Sequence, residues 1–251
     1  MVDIKINTDV IKDIRLMIFD KDGTLMDLYN YWSQMVGYRV ELANKKFGLG
    51  ESEKKKVMYD MGVDLENHRL KSDGPVGLKK REIVMQAMMD SLNSLGFPIT
   101  QDICCEIFKE ADRMSLDHLA EIIKPVDGMH RLIDTLHKKG CRIAVATTDK
   151  TERATLALRF LKISDKVDIV VGEDMVKKYK PYPDMVNLIL KLSSIDQNHA
   201  VIVGDAITDV EMGINAGLKA AVAVCSGLTP KKDLLNKTRY VIDDISHIMV
   251  I

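Results

Sequence analysis

The sequence has no excess of charge of either sign: 36 Lys and Arg stand against 37 Asp and Glu, a formal net charge of -1 over 251 residues. Surplus Lys and Arg supply most of the affinity for a phosphate backbone, so no nucleic acid is expected as a partner. Long hydrophobic runs are missing as well. Stretches such as Ala220 to Cys225 fall far short of the roughly 20 apolar residues that cross a bilayer. The opening MVDIKINTDV already carries two acids within its first nine residues, unlike the basic and then apolar start of an export signal. The expectation is a cytoplasmic protein with no membrane partner. Cysteine is sparse: Cys104, Cys105, Cys141 and Cys225 include one adjacent pair and no CxxC spacing, which suggests neither a zinc site nor a disulfide framework. Internal repeats and low-complexity segments are absent. What remains, 46% hydrophobic and 29% charged, is the composition of a globular chain with core enough for one large domain or two smaller ones.

Two patterns alternate along it. Short apolar runs recur at Ile14 to Asp20, Cys141 to Thr148, Val167 to Gly172, Ala200 to Gly204 and Ala220 to Val224. Runs this short, ended by Gly or Asp, predict strands buried on both faces. Between them, helical periodicity covers Gly128 to Lys139, Thr151 to Leu161, Pro183 to Leu192 and Asp205 to Ala216, with Gly140 and Gly217 placed as left-handed helix stops. Strands alternating with helices predict a wound parallel α/β sheet. From about Asp27 to Glu121 the pattern changes: no comparable apolar run occurs, and Leu28 to Phe47, Glu53 to Met61, Leu78 to Leu95 and Thr100 to Leu119 read as helices. They are broken at Gly48 and Gly50, at Asp73-Gly74-Pro75-Val76-Gly77 and at Gly96-Phe97-Pro98. The methionines at Met58, Met61, Met85, Met88, Met89 and Met114 suit core filling better than a ligand surface. The charge run Glu51 to Lys56 reads as a solvated helix face.

The chemistry-bearing residues gather at strand ends. Asp20-Lys21-Asp22-Gly23-Thr24 leaves the first strand with two carboxylates and a turn-forming Gly, and in a wound sheet ligands bind in the crevice beyond the carboxyl ends of the strands. Taken alone, Asp-Gly is better explained by a surface turn. The other strand ends add Thr147-Thr148-Asp149 and Gly204-Asp205, with Asp209 four residues on. If Asp205 begins a helix, Asp209 lies one turn along the same face. Asp20, Asp22, Asp205 and Asp209 would then meet, and gathered like charges need a cation. Magnesium suits hard carboxylate oxygens completed by water and phosphate. Lys180, held extended by Pro181 and Pro183, offers a positive charge for a carboxylate or a phosphate oxygen, whereas Lys177 and Lys178 read as solvent-facing.

The set FDKDGTL, VATT, KPYPD and VGDAITD, in that order, resembles the haloacid dehalogenase-like hydrolase superfamily, and within it the helical-cap phosphatases of the phosphoglycolate phosphatase type. The resemblance covers Arg15 to Met26 and about Pro125 to Leu228. It implies a Rossmann-like core of residues 1–26 and 122–251 with an all-helical cap at 27–121, and a sheet in which the Asp20 strand lies between those of Thr147 and Asp205. It implies a magnesium-dependent phosphatase for a small phosphorylated metabolite. Asp20 matches the nucleophile, which attacks phosphorus to give an aspartyl-phosphate, and Asp22 the general acid and base. A carboxylate with an unperturbed pKa of about 4 is already ionised at neutral pH and needs no activating base. Thr147 matches the phosphate-binding hydroxyl, Lys180 the lysine that stabilises the charged centre, and Asp209 an outer support for the metal. Asp20, Asp205 and the backbone carbonyl of Asp22 match the metal ligands.

Thr148 stands where many members have Asn, which alters fine positioning at the phosphate. Tyr29, Trp32 and the loop from Ser72 to Gly77 are candidates to face the substrate, although aromatics at helical spacing also pack cores. Alternatives are a sugar phosphomutase on the same scaffold and a non-catalytic binding or regulatory subunit. Family mutases commonly place His twelve residues after the nucleophile, where this chain has Trp32; a regulatory subunit is free to lose its acids, and here all are present. Asp22 argues against dehalogenase and phosphonate-cleaving chemistry, neither of which needs a carboxylate there.

Overall fold

In the computed structural model, which describes residues 1–251, strand and helix alternate from Met129 onward, while helices dominate residues 28–124. The strands are Val2–Ile6 (β1), Asp9–Ile14 (β2), Leu16–Phe19 (β3), Val63–Asp64 (β4), Arg69–Leu70 (β5), Arg142–Ala146 (β6), Ile169–Val171 (β7), Ala200–Gly204 (β8), Ala220–Val224 (β9), Val241–Ile242 (β10) and Met249–Val250 (β11). The helices are Leu28–Phe47 (α1), Glu51–Asp60 (α2), Arg81–Ser94 (α3), Gln101–Asp117 (α4), Leu119–Ile122 (α5), Met129–Lys138 (α6), Thr151–Phe160 (α7), Asp184–Ser193 (α8), Ile207–Asn215 (α9) and Lys231–Leu235 (α10). They form two compact units, one of Met1–Asp27 with Pro125–Ile251 and one of Leu28–Lys124.

The first unit is built on a six-stranded parallel sheet of order β10-β9-β8-β3-β6-β7. β3, β8 and β9 are buried at every position, as strands covered on both faces must be. Helix α6 shows how the covering layer is held: Met129, Leu132, Ile133 and Leu136 recur on one face and are buried. Each fully buried side chain of this size contributes roughly 1.5–3 kcal/mol. The two glycine stops are found, Gly140 at φ +72° and Gly217 at φ +68°.

Register, more than any single contact, positions the site. Phe19 on β3 pairs level with Val145 on β6 and with Val203 on β8. The residues that leave those three strands, Asp20, Thr147 and Asp205, therefore emerge side by side at the carboxyl edge.

The run from Ile14 to Asp20 is not one strand. Ile14 closes β2, which pairs antiparallel with β1, and β11 from the far end of the chain completes a separate three-stranded sheet. The second unit comprises α1 to α5 and is helical apart from one small antiparallel ladder in which Val63 pairs with Leu70 and Asp64 with Arg69. Of its methionines, Met61, Met85 and Met88 are buried, while Met58, Met89 and Met114 are partly so. Where the chain leaves and rejoins the first unit, Met26 bridges Pro125 and the Val126 amide donates to Leu25 O at 3.1 Å. Inside the second unit, Asn30 Nδ2 donates to Ile122 O at 2.6 Å. No helix is long and apolar enough to cross a membrane.

Candidate active site

Asp20 follows the last residue of β3, with its amide donating to Val203 O at 2.9 Å, and its side chain is buried. Lys180 reaches it from the loop before α8: Nζ lies 2.5 Å from Asp20 Oδ1 and 2.6 Å from Asp209 Oδ1. That loop is anchored by Asn215 Nδ2, which donates to Pro181 O at 2.9 Å. Asp205 sits after β8, buried, and accepts from Thr24 Oγ1 at 3.4 Å.

Asp209 arrives by a route different from the expected one. α9 begins at Ile207, so Asp205 lies in the turn before the helix and not on it. Asp209 is the third residue of the helix and turns its carboxylate back, where Oδ2 accepts from the Ala206 amide at 3.0 Å. This reciprocal cap satisfies one free N–H of the helix start and fixes the side chain beside the strand ends.

The expected foursome is a threesome. Asp20, Asp205 and Asp209 each bring an oxygen within 4.8 Å of the others. The Asp22 side chain is drawn away, since the buried ammonium of Lys21 binds Asp22 Oδ1 and also lies 3.2 Å from Asp149 Oδ2. Asp22 keeps 34% side-chain exposure. Thr147 is fully buried and its Oγ1 accepts from the Asp149 amide at 3.1 Å, whereas Thr148 beside it is exposed. Lys177 and Lys178 are exposed. Tyr29 and Trp32 belong to the second unit, where Tyr29 lies 5.7 Å from the His68 ring and Trp32 packs edge-on against Tyr31 at 5.1 Å.

The loop after β9, Cys225-Ser226-Gly227, belongs to the site, yet its sequence carries no acid or lysine that marks it as such. Ser226 Oγ donates to Gly23 O at 2.6 Å. A Cβ on Gly227 would fall 1.7 Å from Asp205 Oδ2, so only glycine leaves that carboxylate its place. Thr24 and Lys21 were likewise in view within the first motif but carried no signal of their contacts.

Charge at the cluster is unbalanced. Burial pushes the Asp20 carboxyl up; Lys180 opposes this, and Asp209 adds to it. Burial also raises Asp205 well above the carboxylate range, with Asp20 and Asp209 contributing. Burial disfavours the Lys180 cation, but Asp20 and Asp209 outweigh it and push Lys180 up. Burial pushes the Asp22 carboxyl up, with Lys21 opposing and Asp20 adding to it. One ammonium thus faces three carboxylates, and Asp209 Oδ1 has no aligned hydrogen-bond donor despite its nearness to Lys180. The donor set, hard oxygens with negative charge in excess, fits a magnesium ion.

A wound parallel α/β domain whose acids and one lysine converge beyond the carboxyl ends of adjacent strands is the architecture of an α/β enzyme with a switch-point site. The chain belongs to the haloacid dehalogenase-like hydrolase family, whose sequence pattern matches residues 17–223. It is 28% identical over 142 residues to the pyrophosphatase PpaX of Bacillus cereus, covering 57% of this chain and 66% of that protein. It is 26% identical over 145 residues to the PpaX of Halalkalibacterium halodurans, covering 65% of that protein. The matched region spans slightly under two thirds of the length of these relatives. Among solved structures, the fold is shared with a predicted phosphoglycolate phosphatase of Haemophilus somnus (TM-score 0.65, 19% identity, 94% of this chain and 96% of that one). It is also shared with a subfamily IA hydrolase of the same superfamily from Geobacter sulfurreducens (TM-score 0.60, 18% identity, 93% of this chain and 94% of that one).

Proposed function

We propose that this protein is a phosphatase that hydrolyses the monoester of a small phosphorylated metabolite. The observation that carries the reading is the convergence of Asp20, Asp205 and Asp209, from the ends of the neighbouring strands β3 and β8, with Lys180 from the loop before α8. The family membership and the pyrophosphatase relatives support the same class of chemistry.

Asp20 is the nucleophile. Its carboxylate oxygen attacks phosphorus in line with the ester oxygen, forming an acyl phosphate as the P–O bond to the leaving group breaks. Asp22 gives its proton to the departing oxygen and then takes one from the water that attacks the acyl phosphate, one carboxyl serving both steps in turn. A raised Asp22 pKa favours the protonated form that the first step uses. To act, Asp22 must exchange its bond to Lys21 for the leaving group, and that bond keeps the carboxyl at the mouth of the turn. Lys180 lies against Asp20 and is placed to meet negative charge on the transferring group. Thr147, which leaves β6 beside Asp20, offers a hydroxyl to a phosphoryl oxygen, and Thr148 lies next to it at the exposed strand end.

Magnesium, held by Asp20, Asp205 and the Asp22 carbonyl with Asp209 behind, would neutralise phosphate charge and orient the group for attack. Tyr29 and Trp32 are proposed contributors to substrate binding from the insert of residues 28–124.

Turnover of an aryl phosphate with magnesium, abolished by a chelator and by Asp20→Asn, is the expected result. Full activity of Asp20→Asn would remove the mechanism. A screen of phosphorylated metabolites ranked by kcat/KM identifies the leaving group.

A further inference from the structure

The insert encloses a cation with two rim nitrogens that its own fold leaves without a hydrogen-bond acceptor. Arg39 lies on α1 and is only 4% exposed. Its guanidinium stacks over the ring of Phe108 on α4, with Cζ 4.2 Å from the centroid. Such a stack serves the flat face of the group and does nothing for its N–H bonds, which lie in the plane and point out from the rim. Nε and Nη1 are buried and make no hydrogen bond.

The neighbouring acid is already engaged. Asp112 acts on Arg39 from α4, but Arg81 Nη1 holds Asp112 Oδ2 at 2.7 Å. Arg81 also reaches over the Phe108 ring, at 5.2 Å. Two guanidiniums therefore share one carboxylate. Burial first, with Arg81 adding and Asp112 opposing, pulls Arg39 down to about 10, so it remains a cation at neutral pH.

Arg81 opens α3, whose N-cap Lys80 supplies no side-chain acceptor; the Ile83 amide donates to Lys80 O at 3.0 Å, and Glu82, exposed, is the one acid of the first turn. Lys79 and Lys80 before it are exposed. A helix start of this kind favours an anion, and a guanidinium rim matches the paired oxygens of phosphate or carboxylate.

We propose that Arg39, with Arg81 and the first turn of α3, forms an oxyanion-binding site within the insert. The ligand is a small phosphate or carboxylate group that completes the hydrogen bonding of the Arg39 rim. The site stands on the residues of the second unit alone and does not rest on phosphoryl transfer at Asp20.

The chain carries its own reporter, because its one tryptophan, Trp32, lies with its ring 6.0 Å from Arg39 Cζ. Inorganic phosphate titrated into the full chain in the presence of EDTA is expected to change Trp32 fluorescence saturably. Arg39→Gln is expected to weaken that binding by about tenfold or more, the worth of a charged hydrogen-bonding group. Asp20→Asn, which stops turnover under the function proposed above, is expected to leave the titration intact, so failure of one reading is distinguishable from failure of the other. A parallel titration with acetate separates the sources: a response to both anions assigns a site open to carboxylates, and a response to phosphate alone assigns a phosphoryl group. Arg39→Lys, which keeps the charge and loses the fork, carries the test should Arg39→Gln not fold, with an expected weakening of about threefold or more. No saturable response in the natural chain, or equal affinity in a natively folded Arg39 variant, overturns the proposal.

Discussion

Lys180 and Asp20, 160 residues apart in sequence, meet at 2.5 Å with both side chains almost sealed from solvent. Neither group is comfortable alone, for an unpaired buried charge is strongly disfavoured. Burial works against the charge of each, and the pairing opposes that penalty, which places a carboxyl and an ammonium in contact before any ligand arrives.

Removing the cation tests this directly. Lys180→Met is expected to destabilise the chelated protein by about 3–5 kcal/mol, the usual consequence of stripping one partner from a buried ion pair. Its turnover of an aryl phosphate is expected to fall by about 10²–10³-fold, as when a charge-stabilising donor is deleted. Denaturant unfolding and steady-state kinetics read the two effects, and an unaltered kcat would show that Lys180 is structural only.

The raised acids give a pH signature of defined sign. A carboxyl whose pKa is higher in the folded than in the unfolded chain supports folding below its unfolded value of about 3.9, and that support is lost as pH rises through the folded value. In EDTA, Asp205→Asn should therefore gain Tm relative to the natural chain as pH increases from 4 to 8. Saturating magnesium should erase the gain. A difference that stays flat or shrinks with pH contradicts the electrostatics described for Asp205.

Gly227→Ala tests the loop behind Asp205. Its Cβ cannot coexist with Asp205 Oδ2 in the present arrangement, so the carboxylate must move. Support of this kind typically matters by about 10–100-fold in metal affinity. Calorimetric titration with magnesium should show a loss of that order, with little change in far-ultraviolet circular dichroism. Native affinity would mean that the loop shifts and the ligand does not.

Lys21→Met should release Asp22 and Asp149 together. With the carboxyl proposed as acid and base no longer fixed, kcat is expected to drop by about 10–100-fold, the order lost when a reacting group is misplaced by about 1 Å. The KM for an aryl phosphate should move much less. A raised KM at constant kcat would assign Lys21 to substrate binding instead.

The buried strands were readable from sequence because a strand covered on both faces must be apolar throughout, as LMIF, AVIVG and AAVAV are. The remaining short strands were not. β1 and β2 mix buried with partly or fully exposed positions over only five and six residues, and β10 and β11 are two residues each. The acids were visible as residue types at strand ends, but how they meet depends on partners the pattern does not encode. Lys21 diverts Asp22, and the Ala206 amide turns Asp209 inward. Arg39 was invisible for a related reason: an arginine within a helix looks solvent-bound until the Phe108 ring over which it lies is known.

The bridge between Met26 and Pro125, reinforced by Val126 on Leu25, fastens the two strands of chain that lead to the insert and back. Because the stitch lies wholly on the sheet side, the segment between it is a cassette. Its replacement by a short Gly/Ser connector should leave β3 in register with β6 and β8, and the acidic centre as it was.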